Sequence, residues 1–304
     1  MVLAEAANPL LDPWRFQAHA EVWLLVAFLI GARVYAIRVI GPHAEHLRRG
    51  EPVVTRRQNW LFVAAIAVLW IASDWPIHDI AEEYLYSVHM FQHMALSYFL
   101  PLLAVLATPV WLFRAVLGSP RVGRVIRWFA KPVVAGFVFN IVVIVTHIPA
   151  MVNQSVNNPL LHYSLHVALV TSSLLMWIPV AAPDSSMRIG YGGRMVYLFL
   201  MSVIPTVPAA WLTFAEGAVY KHYDIAVRVW GLSVTTDQQI AGAIMKTGGS
   251  IFLWSIIVFL WFKRFMGGYG RQQSYRRTPE KTLTYDEVAR EFDRIPAAQE
   301  PLRE

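Results

Sequence analysis

The sequence predicts an all-α fold: a polytopic membrane helix bundle of about seven transmembrane helices, with the N-terminus outside and the C-terminus inside. Three observations support this prediction. Hydrophobic residues make up 56% of the 304 residues and charged residues only 15%, a composition typical of polytopic membrane proteins. The apolar residues are gathered in segments long enough to cross a bilayer. The basic residues are concentrated in alternate connections between these segments.

Seven segments contain about 20 mostly apolar residues each, which is the length that a spanning helix requires. They are residues 21–40, 59–75, 84–113, 131–150, 160–182, 194–215 and 239–262. The second is short and bounded by Asp74, and the third is long and carries Pro101 and Pro109. Each proline removes a backbone hydrogen bond and can kink the helix. We therefore predict seven spans, with six or eight as the open alternatives.

Basic residues orient these spans, because cytoplasmic connections carry an excess of lysine and arginine. The connections after the first, third and last spans contain Arg48, Arg49, Arg56, Arg57, Arg114, Arg121, Arg124, Arg127, Lys131, Lys263, Arg264, Arg271, Arg276 and Arg277. The connection after the second span has acidic charges and no lysine or arginine, and residues 148–159 carry no charge. The pattern places the N-terminus outside and the C-terminus inside.

This topology divides the chain into three parts. Residues 1–19 form an extracytoplasmic N-terminal segment, residues 20–263 the transmembrane domain, and residues 264–304 a polar cytoplasmic tail. The tail mixes both charge signs and is expected to be partly disordered, although residues 284–292 could form a short amphipathic helix. The net charge of +6 does not indicate a nucleic-acid partner, because the topology accounts for the basic residues.

Histidine is distributed unevenly along the chain. Eight of the ten histidines fall on the outer side or in the outer ends of helices: His19, His78, His89, His93, His147, His162, His166 and His222. The pairs His89/His93 and His162/His166 each share one helix face, since residues four apart are neighbours on a helix. Imidazoles are costly in a bilayer and mark functional sites there. Two pairs and His147 at matching depth predict a metal site, whereas one pair alone would also fit an interhelical hydrogen bond.

Other side chains extend this candidate ligand set. Met90 and Met94 each follow a histidine, and thioethers combined with imidazoles suit copper, particularly Cu(I). Methionine in an apolar helix also serves as packing. Asp237 at the mouth of the seventh span either orients an imidazole or caps its own helix. His78 and His222 are expected to be surface residues rather than ligands. The absence of cysteine excludes a thiolate site.

Several short motifs, in order along the chain, resemble one known family. They are His89-Met90-x-Gln92-His93, Pro101-Leu-Leu, Thr108-Pro109, Thr146-His147-x-Pro149, His162-x-x-x-His166, Trp177-x-Pro179 and Asp237-Gln-Gln-x-Ala-Gly-x-Ile-Met245. Over roughly residues 20 to 265 the chain resembles the CtaG family of cytochrome c oxidase assembly factors, which serve bacterial caa-type oxidases. An unrelated single-span copper chaperone shares that name and uses cysteines, which this chain lacks.

The resemblance implies a multi-pass protein of the bacterial plasma membrane that is an assembly factor rather than an enzyme. Its implied partners are subunits of a haem–copper oxidase, to which it would deliver copper from the outer face. A site there could be loaded by a soluble extracytoplasmic copper donor, and the chain could act alone or as an oligomer. Neutral imidazole is the form that binds metal, so occupancy is expected to fall as the pH drops below about 6.5.

The sequence is also compatible with three alternatives. A metal-free scaffold for oxidase assembly would use the histidines as interhelical polar contacts. A b-type haem protein would take one histidine from each of two helices. A di-iron membrane enzyme would resemble this chain in its four-residue histidine pairs, but it needs more histidines on the cytoplasmic side.

Overall fold

The computed structural model describes residues 12–44, 52–225, 228–277 and 284–294. Within these ranges the chain is helical and contains no strand. The helices are α1 Ala20–Tyr35, α2 Arg56–Ser73, α3 Ile77–Glu83, α4 Tyr86–Met94, α5 Leu100–Ala107, α6 Val110–Gly118, α7 Val122–Phe129, α8 Pro132–Thr146, α9 Pro149–Val156, α10 Pro159–Ala181, α11 Tyr191–Val203, α12 Thr206–Thr213, α13 Val234–Ala243, α14 Gly249–Arg277 and α15 Tyr285–Arg294. The prediction of an all-α fold is confirmed.

Six helical segments are long and apolar enough to cross a membrane. They are Ala20–His43, Arg56–Glu83, Tyr86–Ala107, Pro159–Ala181, Tyr191–Thr213 and Val234–Gly267. A seventh is obtained if α7 and α8, which meet at an angle of 81°, are counted as one bent span. The protein is therefore a multi-pass membrane protein, and the predicted number of spans agrees with the upper count.

Two predicted spans are bent or shortened where prolines follow polar residues. The second predicted span ends in a bend after α2, and α3 then packs against α4. Asp74 stabilises this bend, because its Oδ2 accepts hydrogen bonds from the indole nitrogens of Trp70 at 2.6 Å and Trp23 at 2.8 Å. The third predicted span ends at Ala107 instead of residue 113, and Pro109 separates it from α6. Proline cannot continue the backbone ladder of the preceding helix.

The C-terminal part contains two helices. Helix α14 continues without interruption to Arg277, and α15 forms where the sequence predicts a short amphipathic helix. The chain divides into two compact units, Met1–Leu260 and Trp261–Glu304. Much of the predicted N-terminal segment, residues 1–11, and residues 278–283 and 295–304 of the tail lie outside the described residues.

The segment formed by α4 and α5 is the most enclosed span of the bundle. Of its most apolar stretch 61% is buried, compared with 44% or less in the other spans. Helix α4 contacts α3 and α13, and α10 contacts α5 and α8. Helix α4 is thus packed between α3 and α13, and its histidines are buried inside the protein.

Candidate metal centre

The two predicted histidine pairs face each other between α4 and α10. The ring centroids lie 4.4 Å apart in His89/His93 and 4.5 Å apart in His162/His166, as expected for one helix face. Across the helices, His166 lies 5.3 Å from His93 and 6.2 Å from His89, centroid to centroid. Four imidazoles from two helices thus meet in one place.

His147 joins this group from the end of α8. That helix stops at Thr146, and His147 follows in a non-helical conformation two residues before Pro149. Its ring centroid lies 5.7 Å from that of His93. The ring Nδ1 lies 2.6 Å from the carbonyl oxygen of Val143, which can only accept a hydrogen bond. Nδ1 therefore carries the hydrogen, and Nε2 is left with a free lone pair.

Helix α3 contributes two further groups, His78 and Glu82. The ring centroid of His78 lies 5.9 Å from that of His162. Glu82 places Oε1 2.9 Å from Nδ1 of His89 and Oε2 3.5 Å from Nδ1 of His162. One ligand atom from each of His78, Glu82 and His162 lies within 4.8 Å of the others, close enough to hold one metal ion.

The prediction that His78 is a surface residue is wrong. The bend at Asp74 turns α3 back onto α4, and the His78 ring is half-buried against His162 instead of lying in an open loop. A signal for this placement was present in the sequence, because His78 and Glu82 have the same four-residue spacing as the two histidine pairs. We refer to the six histidines and one carboxylate together as the histidine cluster: His78, Glu82, His89, His93, His147, His162 and His166.

A small cavity of about 20 Å³ lies inside the histidine cluster. It is lined by Glu82, His89, His93, His162 and His166, and we call it the imidazole cavity. This volume holds about one water-sized species. Nε2 of His162 and Nε2 of His166 are buried and have no hydrogen-bond partner among the described residues. An unpaired buried nitrogen costs about 1–3 kcal/mol, which a bound cation would offset.

Asp237 stabilises the cluster through the backbone of α4. Its carboxylate oxygens accept hydrogen bonds from the backbone N–H groups of Tyr86 at 2.8 Å and Ser87 at 3.0 Å, and Nη2 of Arg228 lies 3.5 Å away. None of its hydrogen-bond partners in the described part of the chain is an imidazole. The sequence suggested that this carboxylate either orients a histidine or caps its own helix. Instead, it caps the helix that carries His89 and His93.

The loop between α12 and α13 covers the same end of the bundle. The Tyr220 hydroxyl donates to the carbonyl oxygen of His147 at 2.9 Å, and the Tyr223 hydroxyl donates to that of Ala81 at 2.8 Å. Burial raises the pKa of Tyr220 to about 12 and that of Tyr223 well above its ordinary value, so both hydroxyls stay protonated. His222 donates through Nε2 to the backbone carbonyl of Glu82 at 2.8 Å, a supporting contact outside the cluster.

The methionines of α4 lie on another side of His93. Met90 is 1% exposed and Met94 is 8% exposed. Neither lines the imidazole cavity; both line a separate cavity of about 20 Å³ together with Met245, His93 and His147. The imidazoles and thioethers that the sequence predicted as one ligand set therefore line two cavities, and the thioethers lie beside His93 and His147.

A third and larger cavity, of about 520 Å³, borders the cluster between α1, α2, α5 and α10. We call it the lateral cavity. Half of its lining residues are leucine or valine, and His78, His162 and His166 also line it. It has the size and apolar lining of a ligand pocket. His162 and His166 line both this cavity and the imidazole cavity.

Comparison with known proteins identifies the family of this chain. The family model of the cytochrome c oxidase caa3 assembly factor (Caa3_CtaG) matches residues 34–266. Uncharacterized proteins of Mycobacterium bovis and Mycobacterium tuberculosis are each 27% identical over 254 residues, or 77% of this chain and 36% of the relative. The chain thus spans about a third of the length of these curated relatives, and no solved structure matches it. Since the family model covers more than half of the chain, the protein belongs to the cytochrome c oxidase caa3 assembly factor family.

Proposed function

We propose that this protein binds copper, as Cu(I), in the histidine cluster and helps to deliver it to a copper centre of a haem–copper oxidase. One observation carries the metal part of the proposal: imidazoles from α4 and α10 surround a cavity of ion size, and buried ring nitrogens there have no partner among the described residues. The name of the matching family supports the oxidase as the destination.

The donor set favours reversible binding. Imidazole binds copper, but without thiolates the cluster lacks the ligands that trap Cu(I) most tightly. Glu82 accepts from Nδ1 of His89, an arrangement that fixes the ring and leaves Nε2 for a metal. Glu82 also brings one negative charge to the cavity, which stabilises a cation. Such a site can accept copper from one protein and release it to another.

Chain direction supports a position of the cluster on the extracytoplasmic side of the bacterial plasma membrane. Helix α4 begins at the cluster, and the run α4–α5 leads away from it toward Arg114, Arg121 and Arg124. Basic residues mark the cytoplasmic side of membrane proteins. With this orientation a soluble copper donor reaches the cluster from outside, and oxidase subunits reach it through the bilayer.

Elemental analysis of the purified protein tests the proposal. The protein in detergent is loaded with Cu(I) under reducing conditions and washed, and bound copper is measured. We expect copper in the wild type and loss of copper from the imidazole cavity in both His89→Ala/His93→Ala and His162→Ala/His166→Ala. His43→Ala is the matched control, because this exposed histidine lies beyond the other end of α1.

The results distinguish a copper site from a metal-free scaffold. Loss in both double variants with retention in His43→Ala supports a site between α4 and α10. A folded wild type without bound copper would contradict the proposal and leave a metal-free assembly scaffold as the better account. Folding of each variant is checked by the thermal midpoint and the elution volume in detergent.

A haem is the second candidate, and the lateral cavity is the observation that favours it. The imidazole cavity is too small for a macrocycle, but the lateral cavity of about 520 Å³ reaches His162 and His166, whose Nε2 atoms are unpaired among the described residues. A haem there would take an axial imidazole from α10. Visible absorption of the purified protein decides this point, because a haem absorbs strongly and Cu(I) bound to imidazole does not.

A further inference from the structure

The separate cavity beside His93 has its own chemistry. Three methionines line it, Met90 and Met94 from α4 and Met245 from the turn between α13 and α14. His93 and His147 complete its polar lining together with a serine and a tyrosine hydroxyl. We call it the thioether cavity. His93 is the residue that it shares with the imidazole cavity.

His147 is prepared to act as a ligand in this cavity. Its Nδ1 donates to the carbonyl oxygen of Val143 at 2.6 Å, which fixes the ring and leaves Nε2 without a hydrogen. The side chain is 8% exposed, and Nε2 is buried with no partner in the described ranges. The Nδ1 atom of His93 is buried and unpaired in the same way. A cavity lined only for packing would not need two imidazoles with free nitrogens.

The two cavities differ in the charge and softness of their donors. Glu82 lines the imidazole cavity, whereas no carboxylate is present among the described residues that line the thioether cavity. Neutral thioether and imidazole groups do little to compensate the second charge of a divalent ion, and thioethers prefer soft ions. The thioether cavity therefore suits monovalent Cu(I), and its volume of about 20 Å³ admits one ion.

We propose that Met90, Met94, Met245, His93 and His147 form a second Cu(I) site, and that copper passes between the two cavities by exchanging ligands around His93. This inference rests on the proposed function. The transfer changes ligands only, so the ion stays Cu(I) and no electron donor or acceptor is required. His93 holds the ion while Nε2 of His166 is replaced by the sulfur atoms and by His147.

Copper stoichiometry and X-ray absorption test the second site. For wild-type protein loaded with Cu(I) we expect about two copper ions per chain and sulfur among their neighbours. The variant Met90→Leu/Met94→Leu/Met245→Leu conserves side-chain volume and should keep about one copper ion with nitrogen and oxygen neighbours only. Met176→Leu, which replaces a fully buried methionine that lines neither cavity, is the control.

A second measurement needs no substitution in the cavity. In selenomethionine-labelled wild type, copper in the thioether cavity must show selenium at bonding distance at the copper absorption edge. Absence of both sulfur and selenium neighbours, or two copper ions retained in the triple variant, overturns the second site. If wild type binds one copper ion that both double-histidine variants lose and the triple methionine variant keeps, the proposed function stands and this inference fails. If no copper binds at all, both fail.

Discussion

The Asp237 carboxylate caps the N-terminus of α4, where it accepts the backbone N–H of Tyr86 at a distance of 2.8 Å. The two residues are 151 positions apart in the chain. A carboxylate at this point satisfies orphan N–H groups and interacts favourably with the positive end of the helix dipole. The first turn of α4 carries His89, whose ring stacks on that of Tyr86 with centroids 5.3 Å apart. Asp237 therefore positions the histidine cluster without belonging to it.

Asp237→Asn is predicted to destabilise the protein and weaken copper binding together. The amide keeps one acceptor oxygen but loses the charge, so one of the two backbone N–H groups of α4 loses its acceptor and Nη2 of Arg228 loses its ionic contact. We expect a loss of about 1–3 kcal/mol in unfolding free energy. Thermal unfolding in detergent and Cu(I) titration measure the two effects.

The control for this substitution is Asp224→Asn. Asp224 is exposed in the loop that precedes α13, and surface substitutions of this kind change stability by less than about 0.5 kcal/mol. A normal thermal midpoint and normal copper affinity in Asp237→Asn would show that the cap does not position α4.

Much of the cluster was predictable because helical spacing is a local property. His89/His93 and His162/His166 are each four residues apart, so each pair had to share a face once its segment was recognised as a helix. The position of His147 at the outer end of its span followed from the predicted orientation of that span and from Pro149, which lies two residues later. The cost of placing imidazoles in a bilayer indicated a functional site, but the sequence did not predict that α4 would pack next to α10.

The remaining features depend on tertiary contacts that no local pattern encodes. Glu82 reaches His89 only because α3 folds back after Asp74. Met90 and Met94 line a cavity other than the imidazole cavity because of how the neighbouring helices pack against α4. The third methionine of that cavity, Met245, comes from a segment more than a hundred residues later. The position of Asp237 required the contact between α13 and α4, which one sequence does not specify.

The salt bridge between Arg114 and Asp184 predicts that the stability of the protein depends on pH. The Arg114 guanidinium donates through Nε to Asp184 at 2.7 Å, and this hydrogen bond lowers the pKa of Asp184 from 3.8 to about 2. A carboxyl group with a lowered pKa in the folded state stabilises that state above its unfolded pKa. The contribution is therefore present above about pH 3.8 and is lost as the pH falls toward 2.

Asp184→Asn tests this dependence. Because Arg114 is half-exposed, we expect the variant to have a slightly lower thermal midpoint than the wild type at pH 7, and this difference should narrow below about pH 4. Thermal midpoints of the variant and the wild type in the same detergent are compared across the pH range. A difference that stays constant down to pH 2.5 would mean that the charge of Asp184 contributes nothing.

Cysteine labelling is predicted to place the histidine cluster outside the cell. The chain has no native cysteine, so single substitutions report one position each. Gln154→Cys lies on an exposed position of α9 near the cluster, and Arg124→Cys on an exposed position of α7 at the far end of the bundle. In intact cells a membrane-impermeant maleimide should label the first and not the second. Permeabilised cells provide the control, and the reverse pattern would invert the topology.

Glu82→Gln is predicted to weaken copper binding about 10- to 100-fold, the usual effect of losing a carboxylate that orients a ligating imidazole. The substitution preserves shape but removes the negative charge that faces His89 and His162 at 2.9 and 3.5 Å. Competition with a Cu(I) chelator of known affinity measures the change.

The neighbouring carboxylate gives the matched comparison. Glu83 is exposed and its Oε1 accepts from the side chain of Gln17 at 2.8 Å, so Glu83→Gln removes the same charge one residue away without touching the cluster. If acidic residues act only by attracting cations to this end of the bundle, both variants should bind copper equally well, with a small salt-dependent loss. If Glu82 orients His89, its variant alone loses affinity, and the loss persists at high ionic strength because the contact is largely buried.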